Sequence, residues 1–336
     1  MTERSLLIMV LVGLTCHAMG KEQSQTPARP VPRVPVLPTE GNWWYVCKMP
    51  DLGKLAGPNP QKQHIVDHGF IRADNGAWQL WACIRGTRVG RLIYGWEGRS
   101  LDKGPWPARG VMLRADPAWG EQVRNGEEKV GAPFFLRKDG KAYCFYHGAG
   151  FRILASTNGR DFTRVDLGGH SNRTTIPGAR DVMIMAHGGR HYAYTTAMGQ
   201  PKGSKQWQSW VMGSVSDDLK TWKGRHTVSK GGVGGVGGVS AESPFVAFVD
   251  GFFYLFRSSS ITFKTYVYRS TDPLDFGVND DSKLVATFRL KAPELVQDDG
   301  QWYISDLHRF QGIRMGRLQW KLDEKGDEAA RATGNP

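Results

Sequence analysis

Five stretches of this chain repeat one local design. In Ala241 to Phe256 an acidic residue, Glu242, opens a short apolar run, Asp250-Gly251 interrupts it, and a second β-rich run follows. An Asp-Gly pair between two such runs predicts a hairpin, because both turn residues must tolerate positive φ. The same order recurs around Asp139-Gly140, between Gly131 and Tyr146, and around Asp299-Gly300, between Ala292 and Ile304. Asn75-Gly76 divides Asp67-His68-Gly69-Phe70-Ile71 from Trp78-Gln79-Leu80-Trp81, and Gly188-Gly189 divides Asp181 to Met185 from His191 to Tyr194. One hairpin leaves its apolar face bare. Five repeats, at spacings of about 50–64 residues, predict blades packed in a ring. The expected fold is all-β, a five-bladed β-propeller.

The rest of the chain agrees. Ser156 to Phe162, Ser216 to Trp222 and Ser270 to Phe276 each carry Ser, an Asp/Asn turn and an aromatic residue, a signature suited to the outer strands of a blade. Trp43-Trp44-Tyr45-Val46 is expected to close the ring. Residues 1–18 read as a secretory signal, with Arg4 in the basic part, an apolar Leu6 to Leu14 and a Cys16-His17-Ala18 cleavage site. Lipid attachment through Cys16 ranks second. Residues 19–41, with Pro27, Pro30, Pro32, Pro35 and Pro38, read as an extended linker, 42–322 as the propeller, and 323–336 as a disordered polar tail. The product is expected to be secreted or periplasmic, with no transmembrane span and its oligomeric state left open. Cys83 and Cys144 lie in apolar runs and read as buried small residues, with one disulfide among Cys47, Cys83 and Cys144 left open. Lys230 to Val239 is a glycine-rich loop leading into Glu242, a flap or a plain surface loop.

Formal net charge is +12. Such a surface suits nucleic acid, an anionic membrane or an acidic polysaccharide. The chain has no Lys/Arg block and no RNA-binding aromatic motif, so nucleic acid is not expected.

The turn glycines also supply a register. Glu242 lies nine residues before Gly251 and Asp67 nine before Gly76; Asp181 lies eight before Gly189. Three repeats thus place a carboxylate where the first strand opens. The first strands of a propeller line its axis, so these three side chains should converge. Carboxylates crowded in a partly dry pocket raise at least one pKa, which sets a protonated acid beside an ionised one. Glu294 follows Pro293, and strand alternation should turn it away from the position of Glu242. His147, Arg257, His308 and Arg309 fall at strand ends and are candidates to bind substrate, as is His68 beside Asp67. Trp96, Trp106 and Trp119 could stack on sugar rings or pack in the core.

These features resemble the five-bladed propeller glycosidases of glycoside hydrolase families 43, 32, 62, 68 and 117. Asp67-His68, Arg180-Asp181-Val182 and Glu242-Ser243-Pro244 stand where family 43 has Asp-Pro-type openings and Glu-x-Pro, and the last two resemble the Arg-Asp-Pro and Glu-Cys-Pro boxes of family 32. Both Asp-Pro prolines are replaced, by His68 and Val182. The resemblance implies Glu242 as general acid, Asp67 as base or nucleophile, Asp181 as modulator of the acid's pKa, and Arg180 as a residue that orients carboxylates or binds substrate. It implies no cofactor, beyond a place for a central metal ion such as calcium beside a fifth-repeat histidine, here His308. The expected partner is a carbohydrate, anionic in view of the basic charge. The alternatives are a non-catalytic carbohydrate-binding propeller, or a glycoside phosphorylase, which needs a basic cluster for phosphate.

Overall fold

The computed structural model describes residues 30–324. The signal expected at 1–18, the start of the expected linker and the tail beyond 324 lie outside the described residues. Described strands gather in five sheets, and the fold is a β-propeller. The inner strands are His64–Arg72, Gly131–Lys138, Arg180–His187, Glu242–Val249 and Leu295–Asp298. Each pairs antiparallel with the strand after it, which pairs with a third, so the inner three strands of every sheet form a meander. Gly69 shows how tightly neighbouring inner strands pack: a Cβ there would lie 2.6 Å from the Pro133 carbonyl oxygen in the next sheet.

The predicted turns form. Asp139-Gly140, Asp250-Gly251 and Asp299-Gly300 all have positive φ at both residues, as do Gly188-Gly189. This mirror-image turn matches the twist of the flanking strands. The outer signature also has a physical basis. Asn158 Oδ1 accepts from the backbone N–H groups of Arg160 and Asp161, and Asp218 Oδ1 accepts from those of Lys220 and Thr221. Side-chain oxygens here stand in for a backbone turn.

Packing between sheets is aromatic. Phe145, Tyr194, Tyr254, Phe256 and Phe276 are fully enclosed in the largest apolar cluster, and Trp81 packs edge-on against Phe135 and Phe162. Trp96 and Trp106 are buried in the cluster beside the first sheet, so neither meets a sugar. Cys47, Cys83 and Cys144 are buried and unpaired.

The ring closes through the fifth sheet. Trp44–Lys48 pairs with Gly312–Leu322, as expected, and so does Arg33–Val36. This second pairing departs from the linker expectation: Pro35 sits within the strand because the strand is an edge, where a missing N–H costs no ladder bond. Asp323 is likewise held, by Arg269 and the Pro32 carbonyl. Tyr254 anchors the edge strand, its hydroxyl accepting from Arg33 N–H and donating to Arg33 C=O, both at 2.9 Å. Tyr254→Phe should therefore lower stability by about 1–3 kcal/mol, read as a lower urea midpoint with an unchanged slope. An unchanged midpoint would mean the edge strand contributes nothing. Among the described residues no helix is long and apolar enough to cross a membrane.

Candidate active site

Every inner stretch breaks its pleat near its start. The breaks fall at Asp67, Ala132, Asp181, Ser243 and Ala292, non-glycine residues with φ of 36°, 50°, 55°, 45° and 47°. Strand pairing slips past them, between Val66 and His68, Arg180 and Met183, and Glu242 and Phe245. Such a bulge re-aims the side chains beside it and stores backbone strain. Two of the five are alanines, so the bulge belongs to the architecture. The chemistry lies in which side chains stand at it and just before it.

The bulges define the register. In sheets two to five the bulge stands eight residues before the turn glycine; in sheet one it stands nine before, because the turn over 73–77 is longer. Asp67 and Asp181 are therefore equivalent. Glu242 instead shares its position, one residue earlier, with Arg180 and Lys291. This corrects the sequence register, which aligned Asp67 with Glu242 and set Asp181 one residue off.

All three carboxylates line one cavity of about 320 Å³. Arg180 donates to Glu242 Oε1 at 2.7 Å, and its Nε lies 3.3 Å from Asp181 Oδ2. Lys291 Nζ donates to Glu242 Oε2 at 2.9 Å, and the Ser260 hydroxyl donates to the same oxygen. Ser243 ties the other two together: its N–H donates to Asp181 Oδ2 at 3.2 Å and its hydroxyl to Asp67 Oδ1 at 3.3 Å. Thr196 donates to Asp181 Oδ2 at 2.9 Å. Asp67 is the least supported. Burial, with the charges of Asp181 and Glu242, pushes its carboxyl from the ordinary 3.8 up to about 7, against the pull of Lys291 and Arg180.

Asp67 and Asp181 also line a hollow of about 20 Å³ with His68, Pro244 and Glu294. That is room for one water molecule. His68 is buried, its Nε2 bonded to Ser305 Oγ at 2.7 Å and its Nδ1 without a partner. Burial lowers its pKa to about 3, so the ring is neutral. Glu294 does not share the cavity of Glu242, yet it faces the axis. Burial and the charge of Asp67 push its carboxyl well above the ordinary value. Alternation does turn it from the position of Glu242, and the bulge at Ala292, which the sequence did not reveal, precedes its place on the axis.

The remaining predicted residues divide. His147 lines the main cavity, its pKa lowered by burial. Arg257 does not line it. It is buried beneath the glycine-rich loop, donating to Ser229 Oγ and Gly231 C=O and stacked on Tyr268. A Cβ on Gly234 would lie 2.0 Å from its guanidinium, so a side chain there would displace Arg257. The loop is thus held from below by Arg257, and by Asp281, which accepts from Val233 N–H. His308 packs edge-on against Tyr45, 5.7 Å between centroids, while Leu307 and Phe310 face the cavity. Among the described residues no group of three or more His, Cys, Asp or Glu could hold a metal ion. Lys291 and Ser260 were missed, although Lys291 stands nine residues before Gly300, the same offset as Glu242 from Gly251.

No family model and no curated protein matches the chain by sequence. Solved structures match by fold. A thermostable family 43 glycoside hydrolase aligns with a TM-score of 0.56 at 16% identity, over 80% of this chain and 94% of that one. A family 43 enzyme from Xanthomonas citri, complexed with xylose, gives 0.54 at 15%, over 76% and 87%. A family 117 glycoside hydrolase from the marine bacterium Zobellia galactanivorans gives 0.53 at 12%, over 88% and 98%. Likeness at these identities is likeness of fold.

Proposed function

We propose that this chain is an exported glycoside hydrolase. Glu242, on the cavity wall, protonates the leaving glycosidic oxygen. Asp67, on the floor beside the water-sized hollow, takes the proton from the attacking water, and Asp181 holds the pair in place through Ser243 and Arg180. The observation that carries this reading is the convergence of three carboxylates, distant in sequence, on one cavity of a fold shared with glycoside hydrolases. Two carboxyls facing one cavity are what an oxocarbenium-like transition state requires. The leader at 1–18 supports export.

The test is release of new reducing ends from a panel of oligosaccharides and polysaccharides. Glycan binding without product on every member would replace the hydrolase with a binding propeller. A product formed only with added phosphate would replace it with a phosphorylase. The pH profile adds a sign. A base must be ionised, so kcat/KM should rise with pH through about 7, where Asp67 titrates. Lys291 pulls that pKa down. Lys291→Met should move the rising limb to higher pH, and a limb that stays in place would dissociate Asp67 from it.

A further inference from the structure

The first sheet contributes two arginines to the cavity that the proposed chemistry leaves idle. Arg85 and Arg91 stand directly opposite one another on adjacent antiparallel strands, and both line the cavity of Asp67, Asp181 and Glu242. Like charges in that relation repel and weaken a sheet. Other arginines near the axis are matched to acids: Arg180 to Glu242, Arg314 to Asp306. The ion pairs among the described residues include neither Arg85 nor Arg91. Glu127, which borders an adjoining groove with them, is engaged by Lys129. The backbone holds the arrangement. Gly86, at φ +74°, makes a bulge next to Arg85, and a Cβ there would lie 2.1 Å from the Lys62 carbonyl oxygen.

The charges in the cavity do not balance without a ligand. Even with Glu242 and Asp181 both ionised, Arg180 and Lys291 answer them, and Asp67 titrates only near 7. The two further guanidiniums leave a positive excess on one wall. We propose that Arg85 and Arg91 form an anion subsite of this cavity, and that the substrate is an acidic sugar whose carboxylate or sulfate ester lies between them. Planar guanidinium forks match the paired oxygens of either group. The inference rests on the hydrolase reading, which it extends to a substrate class.

The experiment is a glycan array pairing uronate and sulfated oligosaccharides with their esterified and desulfated counterparts, probed with the full chain and with R85Q/R91Q. The native chain should prefer charged members by about tenfold, the value of one charge-assisted contact, and less as salt rises. R85Q/R91Q should abolish the preference. It should fold, because Arg85 is exposed and the substitutions relieve repulsion; a thermal melt at or above the native one checks this. Uronate and sulfate arms separate the two sources. The subsite is overturned if charged and uncharged members bind alike, or if the preference survives R85Q/R91Q. Binding needs no turnover, so the readings fail separately. Arginine-dependent binding without product keeps the subsite and loses the hydrolase. Arginine-independent turnover of uncharged glycans does the reverse.

Discussion

Glu242→Gln is expected to lower kcat on an unactivated glycoside by about 10²–10⁴-fold, the usual contribution of a positioned acid. The amide is nearly isosteric and keeps one oxygen to accept from Arg180 or from Lys291 and Ser260. It cannot give up a proton to the leaving oxygen. The discriminating measurement is the leaving group. Nitrophenolate departs without protonation, so the loss on a 4-nitrophenyl glycoside should be far smaller than on the natural linkage. Equal losses on both would make Glu242 a positioning residue and move the acid elsewhere. The side chain is 15% exposed on the cavity wall, so the fold should survive its replacement.

The turns were the most legible part of the chain. Asp-Gly specifies its own backbone, and the hairpins around 140, 251 and 300 form where they were expected. The convergence of Asp67, Asp181 and Glu242 followed from that, because the position of a residue on the first strand of a propeller blade is a matter of counting. The count failed where local geometry departed from the repeat. A longer turn over 73–77 slipped the first blade by one residue and aligned Asp67 with the wrong partner. The bulges were invisible, since Ala132 and Ala292 carry no hint of positive φ; alternation turned Glu294 from the position of Glu242 but could not show that it lines the axial hollow. Strand ends were the weakest guide. His147 and Arg257 both sit near them, yet one meets the cavity and the other supports a loop from beneath. Which face of the sheet a side chain takes there depends on neighbours from other blades. Lys291 shows the same limit in reverse. Its offset was plain, but a lysine was not expected among carboxylates until Glu242 stood beside it.

Asp67→Asn should bring a comparable loss of turnover while making the protein more stable. The native carboxyl titrates near 7, well above the ordinary 3.8, because burial and two neighbouring carboxylates resist its charge. The folded state therefore binds this proton more tightly than the unfolded chain does. Between those two values the unfolded chain releases its proton first, so the native protein loses stability through this group as pH rises from about 4 to about 7. Asparagine carries no charge and pays no such penalty. The gap in Tm between variant and native chain should be absent near pH 4, widen as pH rises, and level off above about 7. Activity should move the other way: the native rate climbs over the upper part of that range, as the base ionises, and the variant's stays low throughout. Opposed slopes in stability and rate are what a strained functional carboxylate produces. A variant that melts lower than the native chain at pH 8 would show that Asp67 serves the fold.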